Sequence, residues 1–182
     1  ERLAHAYIFE GDRGTGKHDM ALWLAKRLLC LNVNEGQPCE QCVNCMRVNE
    51  GEHPNVQLIE PEGQTIKVYQ IRQLQEELSK SSFEKGTQIF IVQQADKMNP
   101  SAANSLLKLL EEPVGDSIAI LETNILGQVL PTIQSRCQIV HFTPLAKEHL
   151  ITRLEEKDLG TNTANLIANL TNSYDKAVEI SE

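Results

Sequence analysis

The chain has 182 residues, 41% hydrophobic and 23% charged, with a net charge of −8 from 17 basic and 25 acidic side chains. That is enough chain for one good core and a small appendage, and the acidity argues against strong binding of nucleic-acid phosphates by these residues on their own. No run approaches the ~20 uninterrupted apolar residues of a membrane span, and the opening ERLAHAYIF lacks the basic-then-apolar order of a secretory signal, so no membrane is implied and a cytoplasmic setting is expected.

A start at Glu1 and an end inside the helical pattern VEISE read as those of a fragment. Along the chain, apolar runs and turn signals alternate as strand, helix, strand, helix. This predicts an α/β fold, a mostly parallel sheet with helices on both faces. The first strand is Ala6–Glu10, and a helix with Met20, Leu22, Trp23, Leu24 and Leu28 at helical spacing covers Lys17–Cys30. Between them, Gly11-Asp12-Arg13-Gly14-Thr15-Gly16-Lys17-His18 matches G-x-x-x-x-G-K-[ST] at every position but the last. In such a phosphate loop the glycines let backbone N–H groups close around phosphates, the lysine meets the outer phosphates and the final hydroxyl ligates magnesium. Gly11, Gly14, Gly16 and Lys17 are therefore the candidate nucleotide-binding residues of a degenerate loop. His18 is a poor oxygen-for-oxygen replacement around Mg²⁺. Whether ATP is still held passively stays open.

Cys30, Cys39, Cys42 and Cys45 follow as C-x8-C-x2-C-x2-C, four of the five cysteines within sixteen positions. Four thiolates satisfy tetrahedral Zn²⁺ with no open position, so a structural zinc module over about residues 30–48 is expected, with Asn34, Gly36 and Pro38 turning the chain back. Iron–sulfur ligation is the rival, although Arg47-Val48-Asn49 stands where a fourth cysteine and proline would be. Unligated thiols are the plainer alternative.

Further strands are expected at Asn55–Ile59, Gln88–Gln93, Ser117–Glu122 and Gln138–Phe142, with a helix over Val68–Leu78. The strand Gln88–Gln93 is where a P-loop NTPase ends in metal-holding and water-polarising carboxylates. Here it ends in Gln93-Gln94, and an amide carries no charge for a metal and accepts no proton as a base. Asp96 lies beyond the strand tip and reads as a turn or helix-cap carboxylate. Asn99-Pro100-Ser101 starts a helix through AANSLLKLLEE that Pro113 ends. After Phe142, Thr143-Pro144 opens a helical pattern broken near Gly160 and near Asn172-Ser173. This divides the chain into residues 1–143 and a small helical lid over 144–182.

The segments HAYIFEGDRGTGK, ADKMNPSAANSLLKLLEEP and LPTIQSRCQIVHF, with cysteines at this spacing, resemble the AAA+ subunits of the bacterial DNA polymerase III clamp loader, of the delta-prime type. The resemblance covers essentially the whole chain. It implies a P-loop AAA+ three-layer fold with a zinc-binding insertion and a lid, followed by a C-terminal collar domain beyond these residues. Ser135-Arg136-Cys137 carries that family's arginine finger, which makes Arg136 a catalytic residue acting in trans on a neighbouring subunit's ATP site. Thr123-Asn124 is similar to the family's nucleotide-sensing pair, with a turn or cap role equally open. Where active relatives place a second sensing arginine, this chain has Asn172-Ser173-Tyr174-Asp175. The expected partners are gamma/tau and delta-type subunits in a hetero-oligomer that loads a sliding clamp onto primed DNA, this chain not hydrolysing ATP itself. Two readings compete: an active ATPase with unusual metal ligation, and a zinc-dependent nucleic-acid-binding module. The second calls for a basic, aromatic surface, whereas Glu35, Glu40, Glu50 and Glu52 flank the cysteines with Arg47.

Overall fold

The computed structural model describes residues 3–80, 84–157, 159–171 and 174–181. Its strands are β1 (Ala6–Glu10), β2 (Val56–Ile59), β3 (Gln88–Val92), β4 (Ser117–Thr123) and β5 (Gln138–His141). They form one sheet in the order β2-β3-β4-β1-β5, and every pairing is parallel. The helices are α1 (Lys17–Leu29), α2 (Val43–Asn49), α3 (Val68–Ser79), α4 (Pro100–Glu111), α5 (Pro131–Gln134), α6 (Lys147–Glu155), α7 (Thr161–Leu170) and α8 (Tyr174–Ser181).

The sheet is buried on both faces, which is why its strands read as continuous apolar runs. Alternate residues sort between two cores. Ala6 and Ile8 of β1, Phe90 and Val92 of β3, and Ala119 and Leu121 of β4 meet α3, α4 and α5 through Ile71, Leu74, Leu106, Leu110 and Ile133. Tyr7, Phe9, Ile89, Ile91, Ile118 and Ile120 point the other way, onto Ala21, Ala25 and Leu29 of α1 and Val48 of α2. Full burial of each large aliphatic side chain contributes ~1.5–3 kcal/mol.

Strand boundaries agree with the sequence reading to within a residue. β2 begins at Val56, β3 ends at Val92, β4 extends to Thr123 and β5 stops at His141. α4 begins as expected: the Asn99 side chain accepts from the Ala102 N–H at 2.8 Å, and Pro100 takes the first turn, where no N–H is needed. The short helices α2 and α5 were not anticipated, because seven and four residues carry too little apolar periodicity to announce a helix.

Beyond β5, α6, α7 and α8 build a separate small core from Leu150, Leu154, Ala164, Ile167 and Ala177. This is the helical lid, and the Arg153 guanidinium of α6 stacks 4.2 Å above the Tyr174 ring of α8. No helix among the described residues is long and apolar enough to cross a membrane.

Candidate functional site

Parallel pairing brings the carboxyl ends of β1, β3 and β4 to one edge of the sheet, and the first strand lies between later ones, with β4 on one side and β5 on the other. Such a switch in strand order opens a crevice at the strand ends. A cleft of about 360 Å³ lies there, lined among others by Arg13, Lys17, His18, Gln93, Glu122 and Arg153.

The phosphate loop leaves β1 at Gly11, whose N–H donates to the Thr123 carbonyl at 3.2 Å. A Cβ on Gly11 would stand 2.3 Å from the Phe142 carbonyl oxygen. This glycine therefore serves the close approach of the chain after β5. Gly14 (φ 79°) and Gly16 (φ 87°) adopt left-handed backbone, which turns the loop into α1. Lys17, buried, donates from Nζ to the carbonyls of Gly11 at 2.6 Å and Asp12 at 2.8 Å. The lysine thus lies across the loop at the cleft wall.

His18 and Gln93, named separately as defects, meet here. His18 Nδ1 lies 2.9 Å from Glu122 Oε1 and 2.8 Å from Gln93 Nε2. One ring nitrogen cannot donate to the first and accept from the second. A carboxylate only accepts, so the Nδ1–H form belongs to the Glu122 pair, whereas a neutral Nδ1 accepts from Gln93. The hydrogen bond to Glu122 raises the His18 pKa above its ordinary 6.5 against the opposing effect of burial, with further help from the charges of Glu122, Asp19 and Glu60. The contact with Glu122 thus favours the protonated ring, and the contact with Gln93 the neutral one.

Glu122 was missed as a site residue because it ends an apolar strand and no motif points to it. It is 6% exposed and is the buried carboxylate of the cleft. Gln94 lines the rim with left-handed backbone (φ 49°). Asp96 sits in a short 3₁₀ turn and accepts from the Thr123 hydroxyl at 2.7 Å, while that hydroxyl accepts from the Ile125 N–H at 3.0 Å. Thr123 therefore has a turn-forming role beside whatever it does toward the cleft, and Asn124 stands exposed on the rim. Asn172-Ser173 and the side chain of Asp175 lie outside the described residues. The lid contributes Arg153 and Tyr174 to the cleft instead, a placement that one helix's sequence does not disclose.

Arg136 is not brought to this cleft. It follows α5 and precedes β5, where Gln138 pairs with Tyr7 at the start of the β1/β5 ladder, while the phosphate loop leaves the far end, where Glu10 pairs with His141. The five residues of β1 alone span ~16 Å. On that opposite edge the guanidinium is about half exposed and donates to Glu111 Oε1 at 2.8 Å, at the end of α4. Exposed pairs of this kind are weak and exchangeable.

The four cysteines converge at the end of α1. Cys30, Cys39, Cys42 and Cys45 place their sulfurs within 4.8 Å of one another. An ideal tetrahedron of sulfurs ~2.3 Å from one ion has edges of ~3.8 Å, so the cluster needs only a small contraction to close on a metal. Backbone N–H groups face the sulfurs: Asn32 and Cys39 donate to Cys30 at 3.3 Å, Cys42 to Cys39 at 3.2 Å and Cys45 to Cys42 at 3.4 Å. For Cys42, burial opposes ionisation, but the N–H groups of Cys45 and Leu31 and the neighbouring thiols outweigh it and bring the pKa to about 6. Burial, then the Cys42 thiol, pushes Cys45 up to about 12. The loop is tied to α1 through Lys26 with Glu40 at 2.7 Å, Trp23 with Gln37 at 3.0 Å and Arg27 with the Gly36 carbonyl at 2.8 Å.

These features agree with known proteins. Residues 1–146 match the family model for the DNA polymerase III delta subunit. DNA polymerase III subunit delta' of Bacillus subtilis is 48% identical over 181 residues, covering 100% of this chain and 55% of that protein. Subunit delta' of Pseudomonas aeruginosa is 38% identical over 136 residues, 74% of this chain and 42% of that one. The chain thus spans about half the length of the curated relatives it matches. Among solved structures, a gamma subunit-related DNA polymerase III protein of Thermotoga maritima aligns with TM-score 0.59 at 23% identity, over 92% of this chain and 53% of that one. The RuvB branch-migration motor of the same organism aligns with TM-score 0.63 at 15% identity, over 98% of this chain and 53% of that one. These two likenesses speak for the fold alone, a parallel five-stranded sheet flanked by helices. Taken with the family model and the delta' relatives, they establish that the chain belongs to the DNA polymerase III delta subunit family, in its delta' branch.

Proposed function

We propose that this chain is the N-terminal part of a non-hydrolysing clamp-loader subunit, which lends Arg136 as an arginine finger to a neighbouring subunit's ATP site while a sliding clamp is loaded onto primed DNA. The observation that carries the reading is an asymmetry. Arg136 stands half exposed at the sheet edge opposite the chain's own phosphate loop, held by one exposed ion pair, whereas that loop faces His18, Gln93 and Gln94 where hydrolysis requires a hydroxyl and carboxylates. A guanidinium neutralises charge on a transferring phosphoryl group and can come from another chain. The partners in this reading are gamma/tau and delta-type subunits, with the clamp and DNA reached through the assembled complex. Residues 30–48 hold a structural Zn²⁺, since four thiolates without an open position offer no site for chemistry.

The rival reading, a working ATPase with unusual metal ligation, gains one observation in its favour, the buried Glu122. That carboxylate is engaged by His18 and stands one strand away from the tip of β3. Arg136→Ala in the full-length protein, assembled with its partner subunits, tests the proposal. Zinc content and folding stay unchanged, and DNA-stimulated ATP turnover falls at the site served, where an arginine supplied in trans is worth ~10³–10⁵ in rate. Turnover equal to that of the unmodified complex contradicts the finger assignment.

A further inference from the structure

The four-cysteine module carries apolar side chains that its own fold does not use. Leu31 (69% exposed), Val33 (38%), Val43 (56%) and Met46 (50%) stand outward, and none of them joins the two cores of the sheet. Exposed apolar side chains scattered singly are ordinary, whereas a contiguous group marks an interaction surface. Here the backbone gathers them. The Leu31 N–H donates to the Cys42 sulfur, and Val43 is the next residue on, so Leu31 and Val43 flank one atom. Met46 follows Val43 by one turn of α2, on the side away from the buried Cys45 and Val48, and Val33 extends the group toward the turn Asn34–Gln37.

The charges around this patch are mainly of one sign. Its cations are already engaged: Lys26 with Glu40 at 2.7 Å, Arg27 with the Gly36 carbonyl at 2.8 Å and Arg47 with Glu84 at 2.9 Å. Glu35, Glu50 and Glu52 have no ion pair among the described residues. We infer that the module docks an amphipathic helix of a partner polypeptide, with apolar side chains along one face and Lys or Arg at its borders. The acidic rim selects this occupant. It repels nucleic-acid phosphates and anionic lipid alike, and a second copy of the chain would bring the same carboxylates against these across a two-fold axis. Val43 and Met46 form the short ridge that a facing helix can straddle, and the thioether of Met46 adapts to the side chains it meets.

The probe is a synthetic helical peptide of about 18 residues made of leucine and lysine, its leucines on one face, set against the same peptide with glutamate for lysine. Calorimetric titration of the full-length protein is expected to give a Kd of about 10–100 μM for the lysine peptide and binding at least about tenfold weaker for the glutamate peptide. Val43→Ser with Met46→Ser, both on exposed positions, weakens the lysine peptide about tenfold while circular dichroism and the thermal midpoint stay unchanged. Glu50→Lys with Glu52→Lys weakens it about fivefold in low salt and less in high salt. Four results each overturn the inference: no binding of the lysine peptide, equal binding of the two peptides, binding indifferent to the serine variant, or self-association of the full-length protein that the serine variant abolishes. The last would assign the patch to a second copy of the chain. None of these touches the Arg136 assignment, which is read in the turnover of the assembled complex.

Discussion

His18 occupies the place where a phosphate loop ordinarily offers a hydroxyl, and it has acquired a buried partner there. Its pKa is raised, chiefly by the hydrogen bond to Glu122. A group whose folded pKa is raised contributes stability that is fully present below its unfolded value, about 6.5, and that is lost as pH rises through the folded value. Glu122→Gln is therefore expected to cost ~1–2 kcal/mol at about pH 6 and distinctly less at about pH 9, measured by urea unfolding at both. A cost that is equal at the two pH values, or larger in base, would show that the ring is not paired as an imidazolium. The glycines of the loop make a second residue-scale test. Gly11→Ala drives a methyl to 2.3 Å from the Phe142 carbonyl oxygen, so β1 and the chain after β5 must part, at ~2–3 kcal/mol. At Gly16 a Cβ meets nothing within 4 Å and only the left-handed φ of 87° is strained, so Gly16→Ala costs ~1 kcal/mol. Thermal unfolding of the two variants ranks them, and the reverse order would contradict the assigned roles.

At the scale of elements, the four-cysteine module is an extension of α1. Cys30 caps that helix, Cys42 caps α2, and Val48 of α2 reaches the core shared with α1. Chelating the proposed zinc is expected to release residues 30–49 from protection against amide hydrogen exchange while β1, β3 and β4 remain protected, because among the described residues the sheet's cores draw on α2 through Val48. Loss of protection throughout the sheet would make the module part of the global fold. This element was legible in the sequence because cysteine spacing encodes ligand geometry directly. The strands were legible too, since burial on both faces leaves unbroken apolar runs such as Gln88-Ile89-Phe90-Ile91-Val92. Glu122 was not, because one carboxylate at the end of Ser117–Thr123 looks like a strand's solvent-facing tip until β1 and the phosphate loop close over it. Nor was Arg153, whose approach to the cleft depends on how α6 and α8 pack.

Across the whole molecule, the sheet separates the phosphate loop at one end of the β1/β5 ladder from Arg136 at the other. The carboxyl edge gathers a phosphate loop whose last position, His18, is paired with the buried Glu122. The opposite edge presents Arg136 to the outside. In the proposed assembly, where one subunit's outer edge meets its neighbour's cleft, this arrangement would let the chain give to a neighbouring site without running its own. The most direct measurement is ATP turnover by the full-length protein, first alone and then as it is added to its partner subunits with primed DNA and clamp. The expected result is no turnover alone and a gain on assembly that Arg136→Ala removes; turnover by the isolated protein that Lys17→Ala abolishes would contradict the account.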